Sequence, residues 1–214
     1  MQTDKIRIRN LEVGRDEALE EAEKFSAYVE HDHKNAMRMR LLVEETLGMV
    51  GAIAEDFWAD FWMEGKKHGK CQIHVVVHTE MDMAKKQELI DASKNKRNDA
   101  YKGFTGKIRE FIDNSFTMAE EAAIMDGVGY NGANCFVMGM IDMPIGLGAP
   151  VVMDGVTWSL DAYRQGVEGA KGSDREAEEA WDELEKSILA KLADDLRVSI
   201  KGNVAEIVVE KRFD

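Results

Sequence analysis

Alternating and helical patterns of apolar residues divide the first part of the chain into three elements. Ile6 and Ile8 alternate with arginines in KIRIR, which predicts a short strand with one buried face. Residues 15–30 place apolar side chains at helical spacing with acids opposite, which predicts an amphipathic helix. HDHKN interrupts this pattern, and a second helix is predicted from about residue 35 to 54. The chain therefore begins with one strand and two helices.

A hairpin is predicted next. DFWADFWME at 56–64 and KCQIHVVVHTEMD at 70–82 have strand patterns, and the polar segment GKKHGK forms the turn between them. The second strand is rich in β-branched residues and is apolar on both faces from Ile73 to Val77. Such a run predicts a central strand that is covered on both sides. Residues 83–100 begin with a helical pattern and end in a polar, lysine-rich loop.

The second half of the chain changes composition before it returns to regular patterns. Residues 126–155 hold seven glycines and both prolines with three charges, which predicts a hairpin or irregular insertion. The remaining elements are a helix beginning near Gly106, a short helix in TWSLDAYRQGVEG, an acidic helix from Ser173 or Asp174 to about Ala193, and a terminal hairpin with Gly202 and Asn203 in its turn. This order predicts an α+β fold, a two-layer α/β sandwich with helices on one face of a mixed sheet. We expect a single domain, 1–214, with 117–175 inserted in it.

Charge and cysteine content restrict the class of partner. The net charge is −13, and such a chain repels nucleic acid and anionic membranes, whose binding depends on clustered Lys and Arg. The two cysteines, Cys71 and Cys135, follow no metal or redox spacing and suit a reducing compartment. The N-terminus has no apolar signal-peptide region, and the longest uncharged run has 15 residues, too few for a membrane span. We expect a cytoplasmic protein that binds neither nucleic acid nor membrane.

The second helix contains the stretch LLVEETLGMV, in which paired glutamates precede a glycine. Gly48 and Gly51 each cost the helix about 1 kcal/mol relative to alanine, so a close helix contact or a ligand that needs space must compensate. One interpretation is a solvated acidic face with a tight helix contact. The other is a ligand site beside Glu44 and Glu45.

Three further features have both a functional and a structural interpretation. His74 and His78 lie on the same side of a strand but about 13 Å apart, too far to share a metal ion. The loop at 93–107 is basic and places Gly103 and Gly106 at a helix start, which fits either a phosphate site or a solvated loop. The methionines of the 126–155 segment fit either partner contact, including homodimerisation, or packing on the sheet.

The order of elements resembles that of the GHKL-type ATPase domain, the Bergerat fold of histidine kinases and heat-shock protein 90. The layout is closest to the anti-sigma-factor serine kinases, whose second helix carries a motif of the form LxxEExLxNAxxH. LLVEETLGMVGAI occupies the matching place here. The resemblance covers roughly 5–116 and 176–213 and implies an ATP-binding, Bergerat-like sandwich.

Carried over residue by residue, the resemblance gives Glu45 the role of the general-base glutamate. Met49 stands where the family has a metal-binding asparagine, Ile53 replaces the family's histidine, and Asp82 is the acid assigned to the adenine-binding position. A thioether is a poor ligand for Mg²⁺, so ATP is the candidate ligand and Mg²⁺ is not expected. The resemblance implies a binding site at Glu45, Met49, Asp82, Lys102, Gly103, Thr105 and Gly106.

Three functions follow from these features. The first is a degenerate GHKL-like regulatory or binding module with weak or no nucleotide binding. The second is a protein–protein interaction or dimerisation module that uses residues 126–155 and has no small-molecule site. The third is an active ATP-dependent serine kinase of the anti-sigma type, with Glu45 as its catalytic residue.

Overall fold

The computed structural model of the chain contains helices and one β-sheet. It describes residues 1–10, 12–53, 57–67, 69–79, 103–109, 111–112, 115, 151–152, 155–172, 175–201 and 204–213. The predicted strand at 70–82 is described only to Thr79, and most of the 117–175 segment lies outside the described residues.

The strands form a seven-stranded sheet in the order β1-β2-β3-β7-β6-β5-β4. Every ladder between described strands is antiparallel. The two predicted hairpins are confirmed as β2–β3 and β6–β7, and their second strands, β3 and β7, pair at the centre of the sheet. The strands are β1 (Ile6–Arg9), β2 (Phe57–Gly65), β3 (Lys70–Thr79), β4 (Val151–Val152), β5 (Gly155–Ser159), β6 (Asp195–Lys201) and β7 (Val204–Arg212).

The prediction of a mixed sheet is wrong for the described strands. Hairpin strands are antiparallel because a short turn reverses the chain. β3 and β7, the second strands of the two hairpins, also run in opposite directions, so the ladder that joins the hairpins is antiparallel as well. β5 and β6 are antiparallel too, although a long helical connection separates them in the chain.

Helices precede the first hairpin and separate it from the second. They are α1 (Arg15–Tyr28), α2 (His33–Ile53), α3 (helical residues 103–109, 111–112 and 115), α4 (Leu160–Ala170), α5 (Arg175–Lys186) and α6 (Ile188–Leu192). The break between α1 and α2 has a local cause, because Glu30 has a φ of 60° and Oδ1 of Asp32 accepts the backbone N–H of Asn35 at 2.7 Å. Asp32 thereby caps α2.

Two boundaries in the C-terminal half differ from the prediction. Thr157 to Ser159 belong to β5, and the helix begins only at Leu160, because the Ser159 hydroxyl caps it by accepting the N–H of Ala162. The acidic helix is not continuous to Ala193. It stops before Ser187, whose side chain caps α6. In both cases, a serine at the N-cap position determines where the helix begins.

One face of the sheet and the inner faces of the helices enclose the core. Alternate residues of the strands are buried, among them Ile8, Phe61, Val75 and Ile207, and they belong to one cluster with helix residues. The apolar residues that recur at helical spacing in α2 are all buried: Met39, Leu42, Val43, Leu47 and Val50. The last part of the segment predicted as an insertion, residues 155–172, supplies β5 and α4 to this structure.

The outer face of β3 differs from the expectation for a strand covered on both sides. Ile73, Val75 and Val77 are buried, whereas His74 and Val76 between them are only half-buried. β3 is nevertheless central, because it pairs with β2 on one side and β7 on the other. The apolar run therefore fits a central position in the sheet.

Candidate functional site

Helix α2 presents Glu44, Glu45 and Gly48 toward its surface side. Glu44 accepts from Nη2 of Arg15 at 2.9 Å, which ties α2 to α1. Glu45 is half-buried and makes no ion pair with another described residue. A Cβ built at Gly48 would meet no described atom within 4 Å. The structure therefore leaves space beside Gly48, and close helix packing among the described residues does not account for this glycine.

Met49 lies one turn after Glu45 but has a different environment. Its side chain is only 4% exposed and belongs to the core cluster. Thr46, on the same helix, is also buried and donates its hydroxyl proton to the Leu42 carbonyl at 2.6 Å. Position 49 is thus a packing position, and a side chain there points at apolar neighbours.

The N-terminal part of α3 carries three of the expected site residues. Gly103 begins the helical residues, Thr105 is half-buried and Gly106 is buried. Nη1 of Arg109 lies 3.4 Å from the Ala52 carbonyl and so places α3 beside the C-terminal end of α2. Asp82 and Lys102, the remaining two expected site residues, lie outside the described residues.

Two stacked Trp–His pairs lie on the outer face of the sheet, and the sequence analysis did not identify them. Trp58 stacks on His78 with ring centroids 3.6 Å apart, and Trp62 stacks on His74 at 4.8 Å. The β2–β3 register places each pair directly opposite. The signal was present in the sequence, because both tryptophans and both histidines are spaced by four residues across a hairpin.

A cationic side chain covers the other face of each indole ring. Arg7 belongs to β1, and Lys5 directly precedes this strand. Cζ of Arg7 lies 4.6 Å from the Trp58 centroid, and Nζ of Lys5 lies 4.3 Å from that of Trp62. Each indole is therefore covered on both sides. A planar ligand such as a nucleobase would have to displace one of these neighbours before it could stack.

His74 is enclosed by charged groups on three strands. Its Nε2 lies 3.0 Å from Oε1 of Glu64, and its Nδ1 lies 4.0 Å from Oε1 of Glu206. Neither ring nitrogen makes a hydrogen bond of good geometry. Burial lowers the pKa of His74, and this effect outweighs the opposite influence of the two carboxylates. Burial therefore favours the neutral form of His74.

Cys71 and His31 form the closest thiol–imidazole contact among the described residues. Sγ of Cys71 lies 3.9 Å from Nε2 of His31, whose ring packs against Phe213. Burial raises the pKa of the Cys71 thiol to about 11. Because the thiolate is the nucleophile, a buried thiol with this pKa is unreactive at neutral pH. The pair contributes packing rather than nucleophilic chemistry.

Searches for other classes of site and for similar proteins give no match. Among the described residues, no group of three or more His, Cys, Asp or Glu side chains could hold a metal ion. No described helix is long and apolar enough to cross a membrane. Comparison with protein-family models, curated proteins and solved structures finds no match for this chain.

Proposed function

We propose that the chain is a cytoplasmic regulatory or binding module with a degenerate GHKL-type, Bergerat-like sandwich, and that it does not hydrolyse ATP. The order of elements supports the sandwich: a strand, two helices, a hairpin, a glycine-containing helix start and a terminal hairpin. The α2–α3 contact through Arg109 and Ala52 also supports the proposal, because it brings together the two helices that carry Glu45 and Gly103–Gly106.

The burial of Met49 carries the proposal that catalysis is lost. In the family that the sequence resembles, an oxygen ligand at this place holds Mg²⁺ against the phosphates. Here the side chain is a thioether in the core, and Mg²⁺ demands hard oxygen ligands. Phosphoryl transfer relies on metal ions to neutralise the charge that develops on the phosphates. Glu45 alone cannot replace that contribution.

The same helix retains features that fit a weakly held nucleotide. Glu45 is half-buried and makes no ion pair with another described residue. No described atom lies within 4 Å of a Cβ built at Gly48, so there is space beside this residue. We assign the adenine of such a ligand to the space beside Gly48, with Asp82 as a further contact, and its phosphates to the helix start at Gly103–Gly106, with Lys102 as a further contact. Mg²⁺ has no assigned role.

The test is thermal unfolding with ATP or ADP, each with and without Mg²⁺. A ligand at 100 times its Kd stabilises by about 2.7 kcal/mol. For a domain of this size, that corresponds to a rise in Tm of roughly 5–11 °C at about 2–4 °C per kcal/mol. We expect any nucleotide shift to be independent of Mg²⁺ and to be reduced in Glu45→Gln, which keeps the shape of the side chain and removes its charge.

The outcomes separate the three functions. A Mg²⁺-dependent hydrolysis or phosphoryl transfer that Glu45→Gln abolishes would establish the kinase and overturn the proposal. An unchanged Tm at millimolar nucleotide would remove nucleotide from the proposal and leave the interaction module. That module is then tested by deleting residues 130–152 and measuring the mass in solution, since the 126–155 segment was predicted as its contact surface.

A further inference from the structure

The N-terminal half of α2 has a side that the other described residues leave exposed. A groove of about 490 Å³ runs along it and is lined by His33, Lys34, Met37, Arg38, Arg40, Leu41 and Glu44. Of these, Glu44 pairs with Arg15 and Arg40 pairs with Glu23, both of α1. Met37 is 60% exposed, although it is a large apolar side chain. We refer to Lys34, Met37, Arg38 and Leu41 as the α2 groove. It combines apolar side chains in the groove with positive charge along it.

The positive charge of the α2 groove is not neutralised by described neighbours. Residues 33–40, HKNAMRMR, contain no acid in a chain whose net charge is −13. Lys34 makes no ion pair with a described residue, and Arg38 contacts only Oδ1 of Asn35, at 3.4 Å. By contrast, Arg40 further along the helix pairs with Glu23 of α1. Two cations of the groove are therefore available to an external anion.

Helix α5 of the same chain presents the complementary charge. It has the sequence REAEEAWDELEK, with Ala177 and Leu184 buried. Glu178, Asp182 and Glu185 are exposed and lie at the i, i+4, i+7 spacing of one helix stripe. Glu178 and Asp182 make no ion pair with a described residue. We refer to these three acids as the α5 acidic stripe.

The two surfaces match in length as well as in sign. Lys34 to Leu41 and Glu178 to Glu185 each cover eight residues, whose ends lie about 10.5 Å apart along a helix. Ile188, at the start of α6, is 43% exposed and adds an apolar side chain beyond the acidic stripe. An apolar side chain next to carboxylates matches a groove in which the apolar Met37 lies next to cations.

We propose that the α2 groove binds the α5 acidic stripe of a second copy of this chain, and that the reverse contact forms across the same twofold axis. A second copy is the favoured occupant because each chain carries both surfaces. A twofold arrangement then forms two complementary contacts at once and closes the assembly as a dimer. The proposal is independent of the nucleotide site and uses a surface distinct from residues 126–155.

The experiment measures molar mass in solution by sedimentation over a dilution series at low and high salt. The monomer is 24.1 kDa, and we expect the wild-type chain to approach twice this mass at low salt and to dissociate as salt screens the contact. Lys34→Glu/Arg38→Glu and Asp182→Lys/Glu185→Lys should each weaken the dimer by roughly 100-fold or more, because like charges then face each other.

An equimolar mixture of the two reversed variants is the decisive sample. In a mixed dimer, both contacts again join opposite charges, so we expect the mixture to recover the dimer mass. Arg9→Glu/Lys66→Glu is the matched control, because both residues are exposed and lie outside α2 and α5. Circular dichroism melting shows that each variant is folded. A monomeric wild type, a dimer that survives both reversals, or a mixture that stays monomeric would each overturn the proposal.

Discussion

Substitution of Met49 by asparagine tests whether the family's metal-binding position is part of the core in this chain. The side chain is 4% exposed, and burying a methionine contributes about 1.5–3 kcal/mol relative to leaving it in water. An asparagine there also buries an amide whose hydrogen bonds are unmade, at a cost of about 1–3 kcal/mol. We expect Met49→Asn to lower the free energy of unfolding by about 3–5 kcal/mol in total.

Urea unfolding followed by circular dichroism measures this loss, with Met49→Leu as the control. Leucine has nearly the same volume and no polar atom, so it should cost less than about 1.5 kcal/mol. The same samples are then melted with ATP, with and without Mg²⁺. If Met49→Asn were as stable as wild type, or if it gained Mg²⁺-dependent stabilisation, position 49 would face a polar cavity and the reasoning from burial would be refuted.

Two further predictions concern the sheet and its connection to α1. Burial lowers the folded-state pKa of His74 below 6.5, so its contribution to stability is present above pH 6.5 and is lost as the pH falls through the folded-state value. His74→Gln should therefore flatten the rise of the free energy of unfolding with pH, measured by urea unfolding just below pH 6.5, by up to about 1.4 kcal/mol per pH unit, and an unchanged slope would contradict this cause. Gly14 has a φ of +84°, and a Cβ there would lie 2.4 Å from the Arg7 carbonyl oxygen. Gly14→Ala should cost about 2–4 kcal/mol in urea unfolding, against about 1–2 kcal/mol for Gly172→Ala, which has a similar φ and open space among the described atoms. Equal losses would show that the backbone angle, not the close approach, determines the cost.

Local sequence patterns predicted the elements of this fold well where one face is buried. The β2–β3 and β6–β7 hairpins follow from period-two alternation, and the buried stripe of α2 follows from helical spacing. Ser159 and Ser187 were missed as helix starts because helical periodicity continues across both positions. A serine followed three residues later by alanine gives little local signal unless the cap itself is considered.

Pairings over long sequence distances could not be predicted in the same way. The β3–β7 ladder joins residues more than 100 positions apart, and nothing local sets its direction. The Trp–His stacks are different, because the hairpin register that places Trp58 opposite His78 depends only on a short turn. For the candidate site, the helical spacing of apolar residues leaves Glu45 outside the buried stripe, as the structure has it, whereas the burial of Met49 required the surrounding structure.

The surroundings of α2 separate its packing side from the side proposed for a ligand. The helix is held by its buried stripe, to which Met49 adds apolar area, so a methionine at position 49 favours the fold. Glu45 and Gly48 lie off that stripe and contribute little to packing. Lys34 to Leu41 lie one to three turns earlier, and Glu44 is the residue of the groove lining that is adjacent to Glu45, so the cations proposed to contact a partner are separate from the proposed nucleotide site. Binding to a partner and binding of a nucleotide can therefore change independently in this chain, and the salt-dependent mass and the nucleotide-dependent Tm measure them separately.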